Sequence, residues 1–133
     1  MNILILAHLS IRQYSQLQVT VQYLYMNEMD AKTVEDYILS MPNAVRDYPF
    51  GEGVAVYKVG DKMFALMDEH KLPVNLSLKC DPLLAQTLRD RYETVLPGYH
   101  LNKKHWNTII LTGQLSWEEV QDLIRHSYQL VTE

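Results

Sequence analysis

The run Tyr99-His100-Leu101-Asn102-Lys103-Lys104-His105-Trp106 gathers two lysines, two histidines, two aromatic rings and an amide, and it holds no acid. Those side chains suit an anionic partner. Lysines neutralise phosphates, an amide donates to a phosphate or a base edge, and Tyr or Trp rings stack on bases. The same run also reads as a solvated loop feeding a strand, with Trp106 buried as its anchor, because short basic runs usually only solvate a surface. Both readings stay open on the residues alone. Lys62 and Lys79 fall on expected strands, where each can snorkel from a strand end. A sheet can nevertheless bring such ends onto one face with Lys103 and Lys104.

Other chemistries find less. His100 and His105 stand five positions apart, and with Cys80 and Asp81 they are zinc-ligand types. No CxxC, HxxxH or HExxH spacing accompanies them, so structural or surface histidines are the plainer reading. Cys80 is the single cysteine, and a thiol nucleophile needs a polarised thiolate beside a base. A lone Cys at a strand end is more often a small core residue. There is no GxSxG, no phosphate-cradling glycine loop and no GxGxxG. The expectation is therefore no catalytic residue, no metal and no cofactor.

The elements that must position these residues follow from periodicity. Thr33 is expected to cap a helix in which Val34, Tyr37, Ile38 and Met41 fall at helical spacing, with Glu35 and Asp36 in its first turn and Pro42 ending it. Residues 43–52, with Pro49 and Gly51, read as a loop. Val54–Val59, the Gly60-Asp61 turn and Lys62–Met67 form a hairpin, with Met63, Ala65 and Met67 on one face and Phe64 and Leu66 on the other. Val74, Leu76 and Leu78 alternate with Asn75, Ser77 and Lys79, a half-buried strand. Asp81-Pro82 starts a helix whose apolar stripe is Leu83, Leu84, Leu88 and Tyr92. Thr94–Leu96 and Trp106–Leu111 are further strands. Ser116 and Glu119 make a capping box for a last helix, lined by Val120, Leu123, Ile124, Tyr128 and Val131. The fold class is thus α+β, an antiparallel β-sheet with packed helices in the order α-β-β-β-α-β-β-α.

The 133 residues bound the chain to one core, and 47% apolar with 21% charged residues is ordinary globular usage. A formal net charge of −4 repels polyanions, so nucleic-acid binding needs a local basic patch. One cysteine excludes an internal disulfide, and a cytoplasmic setting fits that usage best. Ile3–Leu9 is apolar but lacks a basic start and the ~20 residues of a spanning helix, so neither a signal peptide nor a membrane anchor is expected. Leu17, Val19, Val21, Tyr23 and Tyr25 alternate with polar residues at a strand's period. Residues 1–28 then read as an extra strand or arm, or as a translated leader ahead of a domain at 29–133; the leader is the preferred reading.

Several stretches carry a family resemblance: Pro42-Asn43-Ala44, Tyr48-Pro49-Phe50-Gly51, Lys62-Met63-Phe64-Ala65, Ser77-Leu78-Lys79-Cys80-Asp81-Pro82, the long run Pro97–Thr108, and Ser127-Tyr128. From Thr33 to Val131 the chain resembles the MmcQ/YjbR family. The resemblance implies a secretion-chaperone-like α+β fold and a DNA-binding role through a winged surface. Its polar positions here are Lys62, Lys79, His100, Asn102, Lys103, His105 and Trp106. The leading expectation is a DNA-binding module contacting phosphates through Lys62, Lys79, Lys103 and Lys104, with Tyr99, His100, Asn102 and His105 positioning or stacking. Two rivals stand beside it. One is a protein-interaction adaptor using an exposed apolar face; the other is a small-molecule binder or enzyme built around His100, His105 and Lys79. A pocket enclosing the histidines would favour the last.

Overall fold

The computed structural model describes residues 10–26 and 29–133. Its first element is helix α1 (Ile11–Met26), where alternation suggests a strand over Leu17–Tyr25. The correction has a local cause. Ser10 and Gln13 cap one another reciprocally, Gln13 N donating to Ser10 Oγ at 3.1 Å and Ser10 N to Gln13 Oε1 at 3.0 Å. Gln18 then donates to the Tyr14 hydroxyl one turn back. A lone strand would have no partner for its backbone groups, whereas a helix satisfies its own. The Ile3–Leu9 stretch and the boundary at residue 28 lie outside the described residues.

Helix α2 (Ala31–Leu39) is capped by Asp30, not Thr33: Thr33 N donates to Asp30 Oδ1 at 2.7 Å. That hydrogen bond holds the Asp30 carboxyl below its ordinary pKa. Strand β1 (Ala44–Asp47) occupies the span expected to be a loop. It is a short, largely exposed edge strand with no apolar alternation to betray it. Strands β2 (Val54–Val59), β3 (Lys62–Asp68) and β4 (Asn75–Lys79) follow, then helix α3 (Pro82–Arg91). Strands β5 (Val95–Pro97) and β6 (Trp106–Ile110) and helix α4 (Trp117–Thr132) complete the order. From α2 onward this is the expected α+β succession, with β1 added ahead of the hairpin.

The six strands form one antiparallel sheet, β1-β2-β3-β4-β6-β5. Helices α2, α3 and α4 lie on one face. There Val34, Ile38, Val120, Ile124 and Val131 pack against Tyr57, Met67, Leu76, Leu78 and Ile109. In α3 the buried residue is Ala85, while Leu83, expected in the stripe, is 78% exposed. The expected facing of β3 also needs correction. Tyr57 pairs with Ala65 and Lys58 with Met63, so Phe64 is the extra residue of a β-bulge. Phe64 therefore joins Ala65 and Met67 in the main core, and Met63 joins Leu66 on the opposite face.

That opposite face carries no helix among the described residues. A smaller cluster of Val56, Leu66 and Trp106 is buried there, with Val54, Met63 and Leu101 packed around it. Among the described residues, no helix is long and apolar enough to cross a membrane.

Candidate functional site

Two cross-strand rows build a floor on the helix-free face. Opposite residues in an antiparallel sheet point to the same side. Val56, Leu66, Ser77 and Thr108 stand opposite one another in turn across β2, β3, β4 and β6. The next row runs Val54, Asp68, Asn75. Three loops rise around these rows: the β1–β2 loop with Phe50, the β3–β4 turn with Lys71, and the β5–β6 loop with Tyr99, His100 and Leu101. Together they enclose a concavity of about 260 Å³. This is near the small end of ligand sites, which span roughly 300–1,000 Å³.

The walls are fixed. Tyr48 donates its hydroxyl to Glu69 Oε1 at 2.6 Å, which raises the phenol's pKa and ties the β1–β2 loop to the β3–β4 turn. Glu69 N donates to the Gly53 carbonyl at 2.7 Å. Gly53 has φ +86° and lies so close to the His70 ring that an added Cβ would fall 1.9 Å from Nε2. At that φ any other residue is strained, and its Cβ would also displace the His70 ring. On the other side, a Cβ on Gly98 would lie 2.7 Å from that of Trp106, so the β5–β6 loop folds directly onto the buried indole.

The polar groups of the floor are few. Ser77 and Thr108 hydroxyls share a hydrogen bond of 2.8 Å, and Thr108 Oγ1 also accepts from Tyr99 N at 3.0 Å. The shared bond consumes one of two hydroxyl protons, leaving one to donate. Asp68 Oδ1 accepts from His70 N at 3.0 Å. The Asn75 carboxamide beside it has no hydrogen-bond partner among the described residues. The Lys71 ammonium sits 4.9 Å from the centre of the Tyr99 ring.

Of the expected site residues, Tyr99 and His100 line this concavity, their rings 4.0 Å apart between centroids. The others lie elsewhere. Lys62 stands opposite Val59, which packs on the helix side, whereas Lys79 stands opposite Trp106 on the open side. Lys62 and Lys79 thus leave the sheet on opposite faces. Lys103 donates its ammonium to the Gly98 carbonyl at 2.7 Å, while its own carbonyl accepts from Arg89. Asn102 closes a turn by accepting from Lys104 N at 2.9 Å. The carbonyl of His105 accepts from Cys80 N, and Lys104 is exposed. Trp106 is 7% exposed, a core anchor.

Burial, with Asp81 adjacent, pushes the Cys80 thiol up to about 11, so it stays protonated near neutral pH. Among the described residues no group of three or more His, Cys, Asp or Glu is placed to hold a metal ion. Apart from Tyr99 and His100 the lining was not expected as a site; its aromatic, charged and amide members are Phe50, Asp68, Lys71 and Asn75, with Ser77 and Thr108 as hydroxyls and Val54, Leu66 and Leu101 as apolar residues. Phe50 lay within a family-like stretch, and Asn75 and Ser77 were already the outward positions of an alternating strand.

The YjbR family model matches residues 39–130. The Escherichia coli O157:H7 protein YbdF is 33% identical over 102 residues, covering 77% of this chain and 84% of that protein. YjbR of Escherichia coli K12 is 36% identical over 93 residues, 70% of this chain and 79% of its own length. A Deinococcus radiodurans crystal structure superposes with a TM-score of 0.74 at 38% identity, covering 77% of this chain and 78% of that one. A Pseudomonas syringae crystal structure gives 0.66 at 30%, covering 77% and 99%. The family match extends over the sheet, over α3 and nearly all of α4, and over every loop that walls the concavity, and by that match and these relatives the chain belongs to the YjbR family.

Proposed function

We propose that this protein binds a small molecule in the concavity on the helix-free face of its sheet, and that its role is binding rather than catalysis. One observation carries the reading. Three chain segments distant in sequence (Phe50–Val54, Leu66–Ser77 and Tyr99–Thr108) converge on one concavity. Its walls are mostly aromatic and apolar, with Lys71 among them, and hydrogen-bonding groups are set into the floor. That composition is what a ligand site needs: burial for affinity, sparse polar groups for orientation. His100 lines it; His105 and Lys79 do not.

The DNA reading draws less support. Its lysines split between the two faces, and one of them is bonded to its own loop. Lys104 remains exposed beside that loop. Two measurements decide. An environment-sensitive dye such as anilinonaphthalene sulfonate should bind the protein and be excluded by Val54→Phe, which fills the concavity at an already apolar lining position. Titration with duplex DNA over several salt concentrations should show weak or no binding. Dye binding that Val54→Phe leaves unchanged would refute the pocket. Salt-dependent DNA binding would restore the nucleic-acid reading if Lys103→Glu/Lys104→Glu lowers its log–log slope by about 0.9 for each phosphate no longer neutralised.

A further inference from the structure

Resting on the pocket reading above, we infer that the ligand is a guanine-type base: a flat heterocycle with N–H donors beside a carbonyl on one edge. The argument starts from Asp68 and Asn75. They are direct cross-strand partners on the open face, both line the concavity, and side chains so placed lie about 5 Å apart at their Cβ atoms. A carboxylate only accepts, and Asp68 keeps free lone pairs after its bond from His70 N. A carboxamide both donates and accepts, and that of Asn75 is uncommitted. The pair therefore presents an acceptor next to a donor. The complementary guest carries adjacent N–H donors for the carboxylate and, next to them, an acceptor for the amide. The Watson–Crick edge of guanine has that order, with N2–H and N1–H followed by O6. Adenine sets a single donor, N6–H, beside its acceptor N1, so it gives the carboxylate one N–H where guanine gives two.

The remaining lining agrees with a flat guest. Phe50 and Tyr99 leave 64% and 62% of their surfaces exposed while lining the same small space. The open face of Phe50 is what a planar ring covers by stacking, whereas the Tyr99 ring already meets Lys71 and His100 and borders the guest with what remains exposed. The spare hydroxyl proton of the Ser77–Thr108 pair is a further donor on the floor. Lys71, held over the Tyr99 ring, is a cation on the lining for a phosphate attached to the base. Such a base can arrive as a free nucleotide or as an unpaired guanine in a single strand. The chemistry at Asp68 and Asn75 is the same.

The experiment measures binding of guanosine, inosine, adenosine and guanosine monophosphate to the full chain and to Asp68→Asn, by calorimetry and by displacement of the anilinonaphthalene dye. Guanosine should bind the wild-type protein, inosine more weakly for want of the N2 amino group, and adenosine weakest. Asp68→Asn should weaken guanosine about 10- to 100-fold, the loss expected for hydrogen bonds to a charged acceptor. The inosine comparison needs no variant, so the test survives a misfolded Asp68→Asn. A single-stranded oligonucleotide with one central guanine, against its adenine counterpart, separates the sources. Both sources support the inference when guanine is preferred. Equal binding of guanosine and adenosine, or an Asp68→Asn protein that is folded yet binds guanosine undiminished, overturns it. If the dye binds and Val54→Phe excludes it while no guanine compound competes, this inference falls and the pocket reading stands. If the dye does not bind either, both fall.

Discussion

Ser127 offers a direct test of how the core is closed. The β-bulge at Phe64 ends the β3–β4 ladder at Ala65 and Leu78. Beyond that rung the Phe64 carbonyl and the Lys79 N–H are left without each other. Ser127, fully buried on α4, supplies the missing connection: its hydroxyl donates to the Phe64 carbonyl and accepts from Lys79 N at 3.0 Å. Ser127→Ala removes one oxygen and orphans two backbone groups. Each unsatisfied buried group costs about 1–3 kcal/mol. Lys79 is only half-buried, so water can relieve part of its share, and the expected loss is about 2–4 kcal/mol. Urea unfolding followed by tryptophan fluorescence reads this as a lower midpoint with an unchanged slope. At about 2 kcal/mol per molar, the middle of the range for small domains, the shift is about 1–2 M. A loss under about 0.5 kcal/mol, the range of ordinary surface substitutions, would refute the reasoning. It would mean that the bulge is satisfied without the helix.

Three further outcomes rest on the same structure. Trp106→Ala should cost about 3–5 kcal/mol, because it empties the centre of the smaller cluster; near-native urea stability would show that the indole is not an anchor. Asp30→Ala should cost about 1 kcal/mol at neutral pH. Because folding lowers the Asp30 pKa, its contribution is whole above the unfolded value near 3.9 and fades as pH falls through the lower folded value. The gap between wild type and variant should therefore close in acid and persist at pH 7. Removal of residues 1–28 should leave stability unchanged, since Ile11 and Val19 are exposed whereas Met29 is 4% exposed within the core. A start at Ala31, which deletes Met29, should lower the unfolding midpoint; equal midpoints for the two truncations would contradict this.

What the sequence showed and what it hid divide along physical lines. Alternation in Val74–Lys79 and capping at Asp81 and Ser116 are local signals, and the structure follows them. Strand β1 hid because an exposed edge strand needs no buried alternation; its partners in β2 determine it. The Phe64 bulge hid because one extra residue inverts facing without altering composition. At the N-terminus, period-two spacing in α1 misled where the Ser10–Gln13 cap was the better guide. For the site, composition drew the eye to charge. Lys103 and Asn102 turned out to hold their own loop together. The lining came instead from residues such as Asp68 and Asn75, unremarkable singly and meaningful only once strand register sets them side by side.

The strand order has a consequence for assembly of the chain in time. Strands β1 to β4 pair with one another in sequence order, so that meander can close by short loops. Strand β5 cannot join it. Among the described residues its partner is β6, which inserts between β4 and β5, bringing Trp106 to Lys79 and Ile110 to Asn75. Until β6 arrives, β4 keeps an open edge and β5 has no ladder at all, and closing these distant pairings is the slow kind of step. Thr108, which completes the floor beside Ser77, arrives with that same strand. During synthesis the concavity is therefore completed late: a ribosome-bound chain lacking residues beyond about 105 already carries every lining residue but Thr108, yet lacks the strand that joins β5 to β4 and the helix α4 that covers the sheet.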